Sequence, residues 1–255
     1  MQTVADLITT ARDTDAPLFV SSGGAADHSY ESFLTTTWKA GNLLRHYGVR
    51  PGDAVAVVVG PNEPEADDQP GHMGVTPTPL LAVIGGLLAG GSVDLDPVTA
   101  VDAKVLVAPA AWIERYTPGP GTKPIAYGAD ATDPTVAQLE RESWSENPVA
   151  PPVELDPMTT AFGGSDPHTH GDLLVETRRI VAGYNFDSDT RVGLAAPMTP
   201  AVFVAGVLAP IMAGGTIVLG QAEQSPRVDV IVGSVPDGTG VQRIDPSTVL
   251  PGHNG

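Results

Sequence analysis

Apolar residues at Val4, Leu7, Ile8 and Ala11 have the spacing of one helical face and predict a helix over residues 3–11. Residues 18–21 read as a short strand, followed by a Gly23-Gly24 turn. Ser29 then precedes a helical pattern with Phe33, Leu34, Ala40, Leu43, Leu44 and Tyr47 on its apolar side, and Gly48 stands where a left-handed cap ends a helix. Pro51-Gly52-Asp53 is a tight turn, and the unbroken apolar run at 54–59 predicts a strand covered on both faces, as in a parallel sheet. Residues 60–79, rich in proline and acids, read as a mobile loop or insertion. An apolar helix at 80–89 stopped by Gly90-Gly91, a short strand at 92–95 and a buried strand at 104–108 follow. Residues 116–152 carry Pro, Gly and acids in a connecting pattern, with one short helix near 136–142.

The plan then repeats. Ala89-Gly90-Gly91 falls on Ala213-Gly214-Gly215, and Val105-Leu106-Val107 falls on Val230-Ile231-Val232 at nearly the same offset. Upstream, the segment from Ser29 aligns with the segment from Thr169, and the one from Asp53 with the one from Thr190. Each copy reads as a capped helix, a buried strand, a second helix, a Gly-Gly stop and two further strands. Alternation of this kind predicts an α/β fold: two Rossmann-like βαβ lobes, with mostly parallel sheets flanked by helices and right-handed crossovers, related by an internal pseudo-repeat. The expected division is a first lobe at 1–125, a Pro- and acid-rich connection at 126–155 and a second lobe at 156–255.

With 255 residues and 42% hydrophobic content, the chain has a globular composition and ample length for a core. Its net charge of −17 sets aside nucleic acid and anionic membranes as partners. The absence of cysteine excludes thiol catalysis, disulfides and cysteine metal sites. The N-terminus lacks the apolar core of a signal peptide, so a cytoplasmic protein is expected. Residues 192–219 are uncharged over a membrane-spanning length, but Pro197, Pro200, Pro210 and Gly214-Gly215 break the run into a buried strand, helix and strand.

Candidate chemistry concentrates at 155–174, LDPMTTAFGGSDPHTHGDLL. Thr159, Thr160, Gly163, Gly164, Ser165 and His170 have the outline of a phosphate-binding loop leading into a helix that starts at Thr169. Backbone N–H groups of such a loop form an anion nest, and the helix dipole adds to it. The structural alternative is a loop between lobes with Thr169 and Asp172 as a capping pair. Asp166, His168, His170 and Asp172 alternate and could hold a metal only on extended backbone, which the helix start opposes, so no metal is expected. No G-x-S-x-G or strand-linked G-x-G-x-x-G occurs, and the Gly233–Thr239 segment lacks a Walker lysine, its Asp237-Gly238 reading as a turn. Arg178 and Arg179 lie too far along the helix to serve the loop.

Three stretches, SYESFLTTTWKAGNLLRHYGVRPGDAVAVVVGPNEPE, LLAVIGGLLAGGSVDLDP and the run from Thr169 to Gly220, resemble adenylate-forming enzymes: acyl-CoA synthetases, luciferases and peptide-synthetase adenylation domains. The resemblance covers roughly residues 4–232 and implies the AMP-binding front half of that architecture, with ATP or AMP as the candidate ligand. The family's phosphate loop carries a lysine just before its T-H helix start. Here the matching segment, 159–168, is shorter, has no lysine and places Asp166 where phosphate would lie. The family's later motifs, including the ribose-binding Asp and the C-terminal catalytic Lys, find no counterpart in this sequence. A stand-alone, truncated, non-catalytic relative is therefore expected, with no catalytic residue and no required cofactor, binding a nucleotide, an acyl ligand or a protein partner. The alternatives are one half of a split acyl-adenylating enzyme, or a structural protein that pairs with a second copy of itself.

Overall fold

Ser29 and Thr169 each leave extended backbone and accept a hydrogen bond from the third residue of the helix that follows, and these two capped starts organise the two halves of the fold. The computed structural model describes residues 1–11, 15–21, 28–95, 97–220, 228–234 and 240–250. The Gly23-Gly24 and Asp237-Gly238 turns lie outside the described residues.

The first half runs through α1 (Val4–Ala11), β1 (Pro17–Ser21), β2 (His28–Ser29), α2 (Tyr30–His46), β3 (Ala54–Val57), α3 (Thr78–Leu88), β4 (Ser92–Asp94), β5 (Ala100–Val101), β6 (Val105–Pro109), β7 (Thr117–Pro118), β8 (Lys123–Tyr127), β9 (Ala137–Gln138) and α4 (Leu139–Trp144). The second half holds β10 (Thr160–Phe162), β11 (His168–Thr169), α5 (His170–Tyr184), β12 (Arg191–Ala195), α6 (Pro200–Phe203), α7 (Ala209–Ala213), β13 (Thr216–Leu219), β14 (Val230–Gly233) and β15 (Gln242–Ile244).

The strands form two mostly parallel sheets, ordered β11-β10-β4-β3-β6-β8-β9 and β15-β14-β12-β13-β1-β2, with a small β5-β7 pair. In both sheets the order repeats: β4-β3-β6-β8 corresponds to β13-β12-β14-β15, which bears out the α/β class and the internal repeat. Each half gives its leading hairpin to the other sheet. Phe19 of β1 pairs with Ile217 of β13, and Phe162 of β10 pairs with Val93 of β4. Hydrogen bonding thus crosses the expected division at residues 125 and 155.

Core packing follows the sequence pattern. Val55, Val57 and Val59 enter the main core while Ala56 and Val58 join a second cluster around Trp112, so this strand is covered on both faces. Helices α2 and α3 cross backbone to backbone at Gly41 and Gly85, where a Cβ on Gly85 would lie 2.9 Å from the Gly41 nitrogen. A mid-helix glycine costs about 1 kcal/mol in propensity, and the close crossing offsets it. The 60–79 segment is irregular up to Pro77 and is pinned midway, with Gly71 N–H donating to the Val59 carbonyl and Met198 N–H donating to the Gly71 carbonyl.

Two elements differ from expectation. Residues 123–127, read as connection, form β8, a full parallel strand beside β6 in which Ile125, Ala126 and Tyr127 are buried. Pro124 and the exposed start of the strand hid a run only three buried residues long. The second helix of the repeat is a π-helical turn at Val204–Leu208 flanked by α6 and α7. Pro210 has no N–H for the Gly206 carbonyl and its ring crowds that turn, which widens the helix just before it. The uncharged 192–219 run is strand, helix and strand, and among the described residues no helix is long and apolar enough to cross a membrane.

Tyr30, fully buried at the start of α2, donates through its hydroxyl to the Gly215 carbonyl at 2.7 Å and lies 3.1 Å from that of Pro210. This ties the first half to the corner before β13. Tyr30→Phe should lower unfolding free energy by about 1–3 kcal/mol, because the buried Gly215 carbonyl loses its hydroxyl donor, while that of Pro210 keeps the Gly215 N–H. Urea denaturation checks this, and an unchanged midpoint would contradict the tie.

Candidate functional site

The β10–β11 hairpin delivers the glycine loop. Gly163 N–H donates to the Val93 carbonyl at 3.0 Å, and a Cβ there would meet Ser92 Oγ at 2.8 Å. Gly164 takes φ +96°, which only glycine adopts without strain, and turns the chain toward Ser165 and Asp166. His168 returns into the antiparallel pair, and Thr169 starts α5.

Every backbone donor at that helix start is already used within the chain. Thr169 N–H donates to Asp172 Oδ2 at 2.9 Å, and Asp172 N–H donates to Thr169 Oγ1 at 3.2 Å, a complete capping box. His170 N–H donates to the Thr159 carbonyl at 3.0 Å and Gly171 N–H to the Pro157 carbonyl at 2.7 Å. The groups that would otherwise hold an anion at a helix N-terminus are satisfied by the 157–159 turn and the capping pair.

Beside the loop lies a cleft of about 440 Å³. Gly163, Gly164, Ser165, Asp166 and His168 form one wall, with Asp94 at the end of β4, Thr199 to Ala201 at the start of α6, and Leu250 opposite. Among the described residues, no lysine or arginine lines it. Asp166 Oδ2 stands 3.9 Å from His168 Nε2, whose side chain is only 6% exposed, and His168 Nδ1 has no hydrogen-bond partner among the described residues. Asp94 and Asp166 are the two carboxylates in its lining.

Of the residues singled out from sequence, Gly163, Gly164 and Ser165 meet in this cleft, whereas Thr159, Thr160 and His170 do not line it. Thr160 pairs with Thr169 across the hairpin, and Thr159 sits under the helix start. His170 is fully buried against α1, its Nδ1 accepting from Val4 N–H at 3.4 Å and its Nε2 without a partner among the described residues. Burial pushes its pKa down from 6.5 to about 4, against a small opposing pull from Asp6. Asp172 is committed to Thr169, and among the described residues no group of three or more His, Asp or Glu side chains could hold a metal ion. Arg178 reaches the Met1 carbonyl, and Arg179 is held by Glu176, with Nε to Oε2 at 2.8 Å. Asp94, Thr199 and Leu250 were not anticipated as cleft residues. The Thr199-Pro200 pair, an N-cap followed by Pro at the first helical position, was the local signal for a helix mouth there.

No family model matches the sequence, and no curated protein matches it. Solved structures match its fold. A benzoate CoA ligase from Burkholderia xenovorans is 17% identical over 91% of this chain and 50% of its own, with a TM-score of 0.66. The N-terminal domain of FACL13 from Mycobacterium tuberculosis is 15% identical over 91% and 63%, with a TM-score of 0.65. A fatty acyl-adenylate ligase from L. pneumophila, solved with acyl adenylate and pyrophosphate, is 17% identical over 91% and 44%, with a TM-score of 0.64. The chain has the fold of the N-terminal part of adenylate-forming enzymes, and it spans about half the length of such structures.

Because His170 is buried neutral, its folded pKa lies below its unfolded one and the unfolded chain binds the extra proton. Its contribution to stability is complete above pH 6.5 and is lost as pH falls toward about 4. The loss across that window should be on the order of 3 kcal/mol. His170→Asn, which keeps an acceptor near Val4 N–H and removes the titration, should flatten the acid limb of stability against pH. An equally steep limb in the variant would contradict the assignment.

Proposed function

We propose that this chain is a non-catalytic protein built on the adenylate-forming fold, keeping the architecture for binding rather than for acyl adenylation. The saturated start of α5 carries the reading: all four of its leading N–H groups already have acceptors inside the chain. The cleft beside it adds Asp94 and Asp166, and no lysine or arginine among the described residues. Phosphoryl and nucleotidyl transfer rely on positioned positive charge and free backbone donors around the phosphates, and carboxylates reverse the sign of that interaction. A triphosphate has no seat here, and AMP or an acyl adenylate, with a single phosphate, is the nucleotide ligand that fits better. We place the protein in the cytoplasm, with a protein partner as its associate.

A thermal-shift panel of ATP with magnesium, AMP, an acyl-adenylate analogue and coenzyme A tests this. A ligand at 100 times its dissociation constant stabilises by about 2.7 kcal/mol, roughly 5–10 °C for a chain of this size. ATP should leave the midpoint unmoved. A shift of that size with ATP, abolished by Gly164→Pro, would place a working phosphate site in the loop and contradict the reading.

A further inference from the structure

The cations of this acidic chain are not spread evenly. Against 30 Asp and Glu there are 13 Lys and Arg. Three of these, Lys39, Arg45 and Arg50, stand with His46 on or just beyond the second half of α2. None of the three forms a salt bridge among the described residues, although carboxylates outnumber cations more than two to one.

Arg45, His46 and Arg50 line a second cleft of about 450 Å³ and face the 146–152 segment. Both walls are fixed. Arg50 Nη1 donates to the Arg45 and Val49 carbonyls at 2.9 and 2.8 Å, which holds one edge of its guanidinium. Asn42 Nδ2 donates to the Asn147 and Val149 carbonyls, both at 2.9 Å, and fastens the opposite wall to α2. Among the described residues, Glu146 is the one carboxylate in the lining. Nearby, Lys39 Nζ stands 5.2 Å from the Trp144 ring centroid and donates to the Trp144 carbonyl at 3.2 Å. That tryptophan is 81% exposed and Val149, in the cleft wall, 51%.

Basic residues at a helix C-terminus complement its dipole, which accounts for Arg45 and His46. It does not account for Arg50 beyond the helix, for Lys39 well before its end, or for a large aromatic left in water beside them.

We infer that this cleft is a docking surface for an acidic, extended peptide segment of a partner protein, whose carboxylates meet Arg45 and Arg50 and whose apolar side chain covers Trp144. Arginine forks bind carboxylates in paired hydrogen bonds, and exposed tryptophan is a frequent anchor of interfaces. The charge contrast selects the occupant. A second copy brings another −17 and is repelled over most of its surface. Screening over about 8 Å at physiological salt confines the attraction to a segment lying in the cleft itself. A small anion would leave the tryptophan and Val149 uncovered.

The test is fluorescence anisotropy of a fluorescein-labelled peptide of alternating Glu and Asp with two Leu, against the same peptide carrying Gln and Asn. The acidic peptide should bind, the amide peptide should not, and Arg45→Glu with Arg50→Glu should weaken binding at least about tenfold. Trp144→Ala should weaken it several-fold. If the double variant fails to keep the native circular dichroism spectrum, Arg45→Gln combined with Trp144→Ala replaces it. Equal binding of the amide peptide, unchanged binding by the variants, or no binding up to ~1 mM peptide would overturn the proposal. So would concentration-dependent dimerisation abolished by the same variants, since the occupant would then be a second copy.

Discussion

The reciprocal exchange of the two leading hairpins is the constraint from which the rest of the structure follows. β1 and β2 complete the sheet of the second half, and β10 and β11 complete that of the first. Neither sheet is whole without residues from the other half of the chain. A continuous core runs through both, and α1 threads between them with Val4, Leu7 and Ile8 buried. Tyr30 and His170, the first residues of α2 and α5, occupy corresponding places in the exchange and are both fully buried. One is satisfied through its hydroxyl and the other through one ring nitrogen.

The turn before the β10–β11 hairpin and the capping pair after it occupy the backbone donors at the start of α5. To enter the first sheet, the chain turns at 157–159, and the carbonyls of Pro157 and Thr159 come to lie against the N–H groups of Gly171 and His170. Asp172 closes the cap. What remains exposed is the tip, Gly164 to Asp166, which contributes a carboxylate and no cation to the cleft. The four N–H groups at the start of α5 are thus taken by the 157–159 turn and by the capping pair.

Much of this was legible in the sequence. The apolar runs at 54–59 and 104–108 marked their strands, Ser29 and Thr169 marked their helices, and the Ala-Gly-Gly stops marked the repeat. The spacing from Thr169 to Asp172 also announced the capping box. Which sheet a strand joins was not legible, because an apolar alternation specifies a face and not a neighbour. β8 was missed since Pro124 and an exposed start left three buried residues to carry the pattern, and pairing with β6 decided the outcome. The cleft needed Asp94, Thr199 and Leu250, brought together from three distant segments. Local pattern pointed to the glycine loop, and only the fold revealed that the donors behind it were taken.

Pyrophosphate exchange is the decisive measurement. Purified chain, magnesium ATP, radiolabelled pyrophosphate and a panel of carboxylic acids should give incorporation into ATP no greater than the enzyme-free blank. Exchange above blank that depends on one carboxylic acid, and that survives repurification, would mean that the α5 start and its acidic cleft do support adenylation and that the chain is an enzyme after all.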